Sequence, residues 1–176
     1  MSRAIAAKLA VALGVAALAA SFLSCGSPVH DQQVAEMGPE PPGEHPGPLH
    51  RAGQPCLVCH GWLGPSHTEF AVAGTVYKAI NDKTGVDGAI VIFTTPDQNS
   101  VAVQTNAVGN FYVVKDRWPL SFPYQVQVQY PKLPNNMKMA SPISRDGACN
   151  DCHADPPGPA RFGHIYLVAD AADFPQ

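Results

Sequence analysis

The 176-residue chain predicts an all-β sandwich of about seven strands. Three observations carry that expectation. From Thr68 onward, apolar and polar residues alternate with period two in short runs, the pattern of strands with one buried face. Clusters of Gly, Pro, Asn and Asp punctuate those runs, as turns require. Beyond the first two dozen residues, no stretch of convincing helical length keeps a 3.6-residue apolar period.

In chain order, Arg3 and Lys8 precede an apolar run from Leu9 to Leu23 built mostly of Ala, Val and Leu. The run is shorter than the roughly 20 apolar residues that span a bilayer. A short positive start followed by such a run reads as a signal peptide over residues 1–24. It ends in Phe22-Leu23-Ser24-Cys25-Gly26, which resembles the lipobox of bacterial lipoproteins, with Leu23 where a smaller residue is usual. The resemblance implies lipidation at Cys25 and a membrane anchor. Gly26 is not the Asp that favours inner-membrane retention in such lipoproteins, so the implied site is the outer membrane, at its periplasmic face or the cell surface. The other reading is an ordinary signal peptide and an unmodified Cys25.

Loss of residues 1–24 removes two cations and no acid. Nine Lys and Arg then face fourteen Asp and Glu, a formal charge of about −5. A mildly acidic chain argues against nucleic acid as a partner.

Residues 25–55 hold Pro28, Pro39, Pro41, Pro42, Pro46, Pro48 and Pro55 with few apolar residues. Such a segment cannot bury enough surface to fold alone and is expected to be a disordered, semi-stiff tether. Residues 56–176 form the expected sandwich domain. Its strands are read at Phe70–Tyr77, Ala89–Thr94, Ser100–Thr105, Phe111–Lys115, Tyr124–Tyr130, Met137–Ala140 and His164–Val168. The fifth is the clearest: Tyr124, Val126, Val128 and Tyr130 alternate with three Gln. Turn signals lie at Asn81–Gly85, Thr95–Asp97 and Gly109–Asn110. Trp62 and Trp118 are expected to pack.

The runs Ala73–Tyr77, Gly85–Ala89 and Thr105–Phe111 resemble carboxypeptidase-regulatory-like (transthyretin-like) domains, well over residues 70–115 and loosely over 116–168. The resemblance implies an immunoglobulin-like sandwich. Such domains often serve as stalks or binding modules, so fold decides nothing about function. In many such sandwiches the first and last strands run parallel as neighbours.

The usual members lack the two motifs found here, Cys56-Leu57-Val58-Cys59-His60 and Cys149-Asn150-Asp151-Cys152-His153. Both match C-x-x-C-H, the attachment signature of haem c. Thiols at i and i+3 lie on one side of a tight turn, where they can add to the two vinyl groups of a porphyrin. His at i+4 then supplies an axial imidazole to the iron. Seven of 176 residues are His, so a His after both pairs would arise by chance about once in 600 chains that carry the pairs. Zinc held by the four thiolates is an alternative that leaves His60 and His153 unexplained. Disulfides are another.

The expected domain therefore resembles a bacterial dihaem c-type cytochrome lipoprotein. It would carry two haem c groups in two loops of the sandwich, through Cys56, Cys59, Cys149 and Cys152. His60 and His153 are the expected axial ligands. Candidate sixth ligands are His50 and His67 for the first iron, and His164, Met137 and Met139 for the second, with His67 and His164 favoured. Because each motif precedes an outer strand, the two sites are expected to gather at one end of the sandwich. The implied role is electron transfer at the cell envelope with other redox proteins as partners. A non-redox stalk or binding module and a haem enzyme with an open axial position are the rivals.

Overall fold

The computed structural model describes residues 27–80, 82–118, 121–159 and 161–175. The expected signal peptide and Cys25 lie outside the described residues. Seven strands form among the described residues: β1 (Phe70–Ala79), β2 (Ile90–Thr94), β3 (Ser100–Gln104), β4 (Asn110–Val114), β5 (Gln125–Gln129), β6 (Met137–Lys138) and β7 (Ile165–Val168). They make a three-stranded sheet in the order β4-β1-β7 and a four-stranded sheet in the order β3-β2-β5-β6. The chain is an all-β sandwich, as its periodicity predicts.

Alternation sets the faces. In β2, Val91 and Phe93 are buried while Ile90, Ile92 and Thr94 are only partly so. In β4, Phe111 and Val113 point into the core and Tyr112 is exposed. The core joins Val72, Val76, Val91, Phe93, Phe111 and Val113 to Tyr124, Val128 and Leu167. Trp118 is buried there and packs on Phe93 and Tyr124, whereas Trp62 is 78% exposed and does not pack as expected.

β1 departs from alternation, being buried almost throughout. Its inner face, through Val72 and Val76, meets the core. Its other side is covered by residues 53–54 and by the second Cys-x-x-Cys motif, which hydrogen-bond to Thr75 and to each other. A strand covered on both faces is built of small and apolar residues without a polar phase, as Ala71-Val72-Ala73-Gly74-Thr75-Val76 is. β1 pairs antiparallel with β4 and parallel with β7. The parallel pairing brings together the chain segments on which the two motifs lie.

The described part of the Pro-rich segment differs in detail from the expected tether. It contains a ten-residue helix, α1 (Pro28–Met37), whose N-cap Ser27 accepts a hydrogen bond from the His30 amide and whose first helical residue is Pro. No residue of α1 is buried, so it has no apolar stripe for a periodicity search to find. Residues 48–54 then dock on the sandwich. The Asn106 side chain donates to the Pro48 carbonyl (2.6 Å), and the Gly53 amide donates to Thr75 Oγ1 (2.8 Å). The segment takes its order from the domain it lies against. Among the described residues, no helix is long and apolar enough to cross a membrane.

Candidate cofactor sites

Each Cys-x-x-Cys-His motif folds as a single helical turn. The first makes α2 (Leu57–His60), with the His60 amide donating to the Cys56 carbonyl at 2.8 Å. The second makes α3 (Cys149–Cys152), with the His153 amide donating to the Cys149 carbonyl, also at 2.8 Å. In such a turn, positions i, i+3 and i+4 are neighbours on one side. The two thiols and the imidazole of each motif are thereby grouped by backbone geometry alone.

The imidazoles are held alike. His60 Nδ1 lies 2.9 Å from the Thr68 carbonyl oxygen, and His153 Nδ1 lies 3.1 Å from that of Gly163. A carbonyl can only accept, so Nδ1 carries a proton and Nε2 is the nitrogen left available to a metal. That arrangement fixes the tautomer of a metal-ligating histidine. Burial pulls His153 below the usual histidine range, although its bond to Gly163 opposes this, and so favours the neutral, coordinating form.

Each motif opens on its own cleft. The first, about 540 Å3, is lined by Cys56, Cys59, His60 and His50. A stacked ladder forms one wall: His60 on Phe70 at 4.1 Å, and Phe70 on Tyr112 at 4.5 Å. A bulge between Phe70 and Val72 takes Phe70 out of the register that buries Val72 and sets it beside His60. The second cleft, about 300 Å3, is lined by Cys149, Cys152 and His153. Its apolar lining is Val91, Val126 and Val128 from the sheet, with Phe162 from the loop after the motif. That loop closes on the motif, the Phe162 amide donating to the Cys152 carbonyl at 2.7 Å.

Of the candidate sixth ligands, Met137, Met139 and His164 all line the second cleft with His153. His164 is buried, stacked on Tyr77 at 4.1 Å, with Nδ1 at 3.2 Å from the Asp82 carbonyl oxygen. In the first cleft it is His50, not His67, that accompanies His60. His67 is exposed and does not line the cleft. His30, on α1, has a buried Nε2 without a hydrogen-bond partner but lines neither cleft.

The two sites are tied together by a buried polar network that no sequence pattern announces. Asn150, inside the second motif and 2% exposed, accepts from the Thr75 amide (3.2 Å) and donates to the Gln54 carbonyl (2.9 Å). Thr75 Oγ1 donates to Asn110 Oδ1 at 2.8 Å. The Asn110 side-chain amide donates to the His50 carbonyl at 2.9 Å. Phe111 lines both clefts. The two motifs thus meet across β1 at Ala73–Thr75, where Ala148 also forms a bridge to Ala73.

The donor set fits two covalently held haems. Each cleft offers two thiols, an imidazole with its Nε2 free, apolar or aromatic walls, and a second imidazole or thioether. The four thiols are free. Burial pushes Cys56 up to about 11 and Cys149 up to about 12, so both are neutral at ordinary pH. The pairs line separate clefts instead of closing around one point. Among the described residues, no three His, Cys, Asp or Glu side chains gather as a metal-ion cluster. No protein family, curated protein or solved structure matches the chain, and its chemistry is read from its own residues.

Proposed function

We propose that the chain is a dihaem electron carrier of the bacterial cell envelope. The observation that carries this reading is the duplicated arrangement of a one-turn Cys-x-x-Cys-His helix, its imidazole pinned through Nδ1 to a carbonyl, facing an apolar-walled cleft. Bound there, haem c supplies one-electron chemistry at its iron. The chain's part is to hold and tune. Cys56 with Cys59, and Cys149 with Cys152, provide the thioether sulfurs. His60 and His153 would ligate the irons, their rings oriented by the Thr68 and Gly163 carbonyls. Phe70, Val126 and Val128 would limit water at the sites, which stabilises the less charged state of a buried redox centre. Lipidation at Cys25 would anchor the domain, in the outer membrane on this reading, with other redox proteins as partners through small transient surfaces.

The test is a pyridine haemochrome assay with intact mass, on protein made in a host with cytochrome maturation machinery. Two haem equivalents per chain are expected. A colourless product from such a host sinks the reading. Fatty-acid labelling that is lost in Cys25→Ser tests the anchor.

A further inference from the structure

We infer that His50 is the sixth ligand of the first iron, and that Glu40 is the positioning residue that holds it. The inference rests on the dihaem reading and deepens it. An imidazole ring centre lies about 1.1 Å from its Nε2, and metal–imidazole bonds run about 2.0–2.1 Å. Two imidazoles bound on opposite sides of one metal therefore have ring centres about 6.2–6.4 Å apart. The His50 and His60 ring centres are 6.0 Å apart, with their planes at 79°, and both rings line the first cleft.

The second ring is prepared as the first is. His50 Nδ1 lies 3.0 Å from Glu40 Oε1, which can only accept, so Nδ1 carries a proton and Nε2 is the nitrogen available to a metal. Glu40 is itself held: Arg51 Nε lies 3.2 Å from its other oxygen. Arg51 also caps α1, donating to the Met37 and Gly38 carbonyls at 3.1 and 2.7 Å. Its backbone sits in the left-handed region, φ +49°, with its amide donating to Glu44 at 2.6 Å. From the sandwich side, Asn110 donates to the His50 carbonyl. The loop around His50 is thus fixed from both sides, although its Pro-rich composition offers no core. Met37 also lines the cleft and is the competing donor. It lacks the paired-ring spacing and the carboxylate behind it.

The holoprotein decides the matter. Pyridine haemochrome first counts two haems; fewer would be a failure of the dihaem reading, distinct from a failure of the ligand assignment. Near-infrared magnetic circular dichroism of the unmodified ferric protein is expected to show at least one bis-imidazole haem, and none would overturn the inference. His50→Ala is expected to turn one of the two haems high-spin and open it to carbon monoxide when reduced. Met37→Ala, His67→Ala and His30→Ala should leave both low-spin. Two low-spin haems in His50→Ala, or a high-spin haem in Met37→Ala, would overturn the assignment. Should His50→Ala fail to fold, His50→Met takes its place: one haem stays low-spin with a raised potential, and unchanged potentials refute the role. Glu40→Gln should keep both haems low-spin while raising one potential, because the carboxylate no longer strengthens the imidazole as a donor. A Glu40 that served only to anchor Arg51 would lower stability and leave both potentials where they were.

Discussion

Two residues outside the Cys and His positions of the motifs decide how firmly the candidate sites are held. Asn150 sits between the cysteines of the second motif, yet its side chain serves β1 and the chain before the first motif. Replacing it with Ala leaves the buried Thr75 amide unpaired and removes the donor to the part-buried Gln54 carbonyl. At about 1–3 kcal/mol for the buried amide and about 1 kcal/mol for the part-buried carbonyl, Asn150→Ala should cost about 2–4 kcal/mol in urea unfolding of the holoprotein. It should also disturb the spectra of both haems, where a contact local to the second site would disturb one. Tyr124, 1% exposed, donates to the Asp146 carbonyl at 2.9 Å, just ahead of the second motif. Tyr124→Phe removes that bond and little volume, so a loss of about 1 kcal/mol is expected. Trp62→Ala, at an exposed ring, should stay within about 0.5 kcal/mol of the unaltered chain. The cysteines and their histidines are readable from the sequence because chemistry fixes their spacing. The Glu40–His50 pair is not: ten residues separate the two in an irregular loop, and no local period links them.

Among the elements, strands are readable where one face is wet. β2, β4 and β5 alternate because each has a core side and an exposed or half-exposed side. β1 extends two residues beyond the stretch its pattern suggests, to Ala79, because pairing with β7 continues through Ala79–Val168. α1 is invisible for the opposite reason, as it buries nothing. β1 is also the element on which both sites depend. At Gly74 a Cβ would lie 2.7 Å from the Phe111 ring and 2.8 Å from Cys149 Cβ. Both neighbours belong to site walls, so neither can move without altering a cleft. Gly74→Ala should cost about 1–3 kcal/mol through overpacking. On the dihaem reading its absorption spectrum should change at the second haem first, because Cys149 would carry that thioether. An unchanged melting temperature and unchanged spectrum would mean that the strand can shift at no cost.

For the whole molecule, one topological fact organises the rest: β1 and β7, first and last in the sandwich, run parallel as neighbours. Motifs that lie far apart in sequence thereby meet at Ala73–Thr75, with Phe111 common to both clefts. The two motifs are close enough to act on each other electrostatically: Cys56 raises the Cys149 pKa further, beyond the larger effect of burial. Charges placed on the two irons should interact in the same way. At an effective dielectric of about 20, two unit charges interact by about 1 kcal/mol or more while they lie within about 15 Å of each other. Oxidising one haem would then make the second oxidation harder by that order. A spectroelectrochemical titration of the holoprotein should therefore be broader than the sum of two single-site curves. Those curves come from Cys56→Ala/Cys59→Ala and from Cys149→Ala/Cys152→Ala, each retaining one haem. Because most of the motif residues are partly buried and such charges are screened less than exposed ones, raising the salt concentration should narrow the holoprotein curve only slightly. A holoprotein curve that equals the sum of the two would mean that the shared strand positions the haems without coupling them.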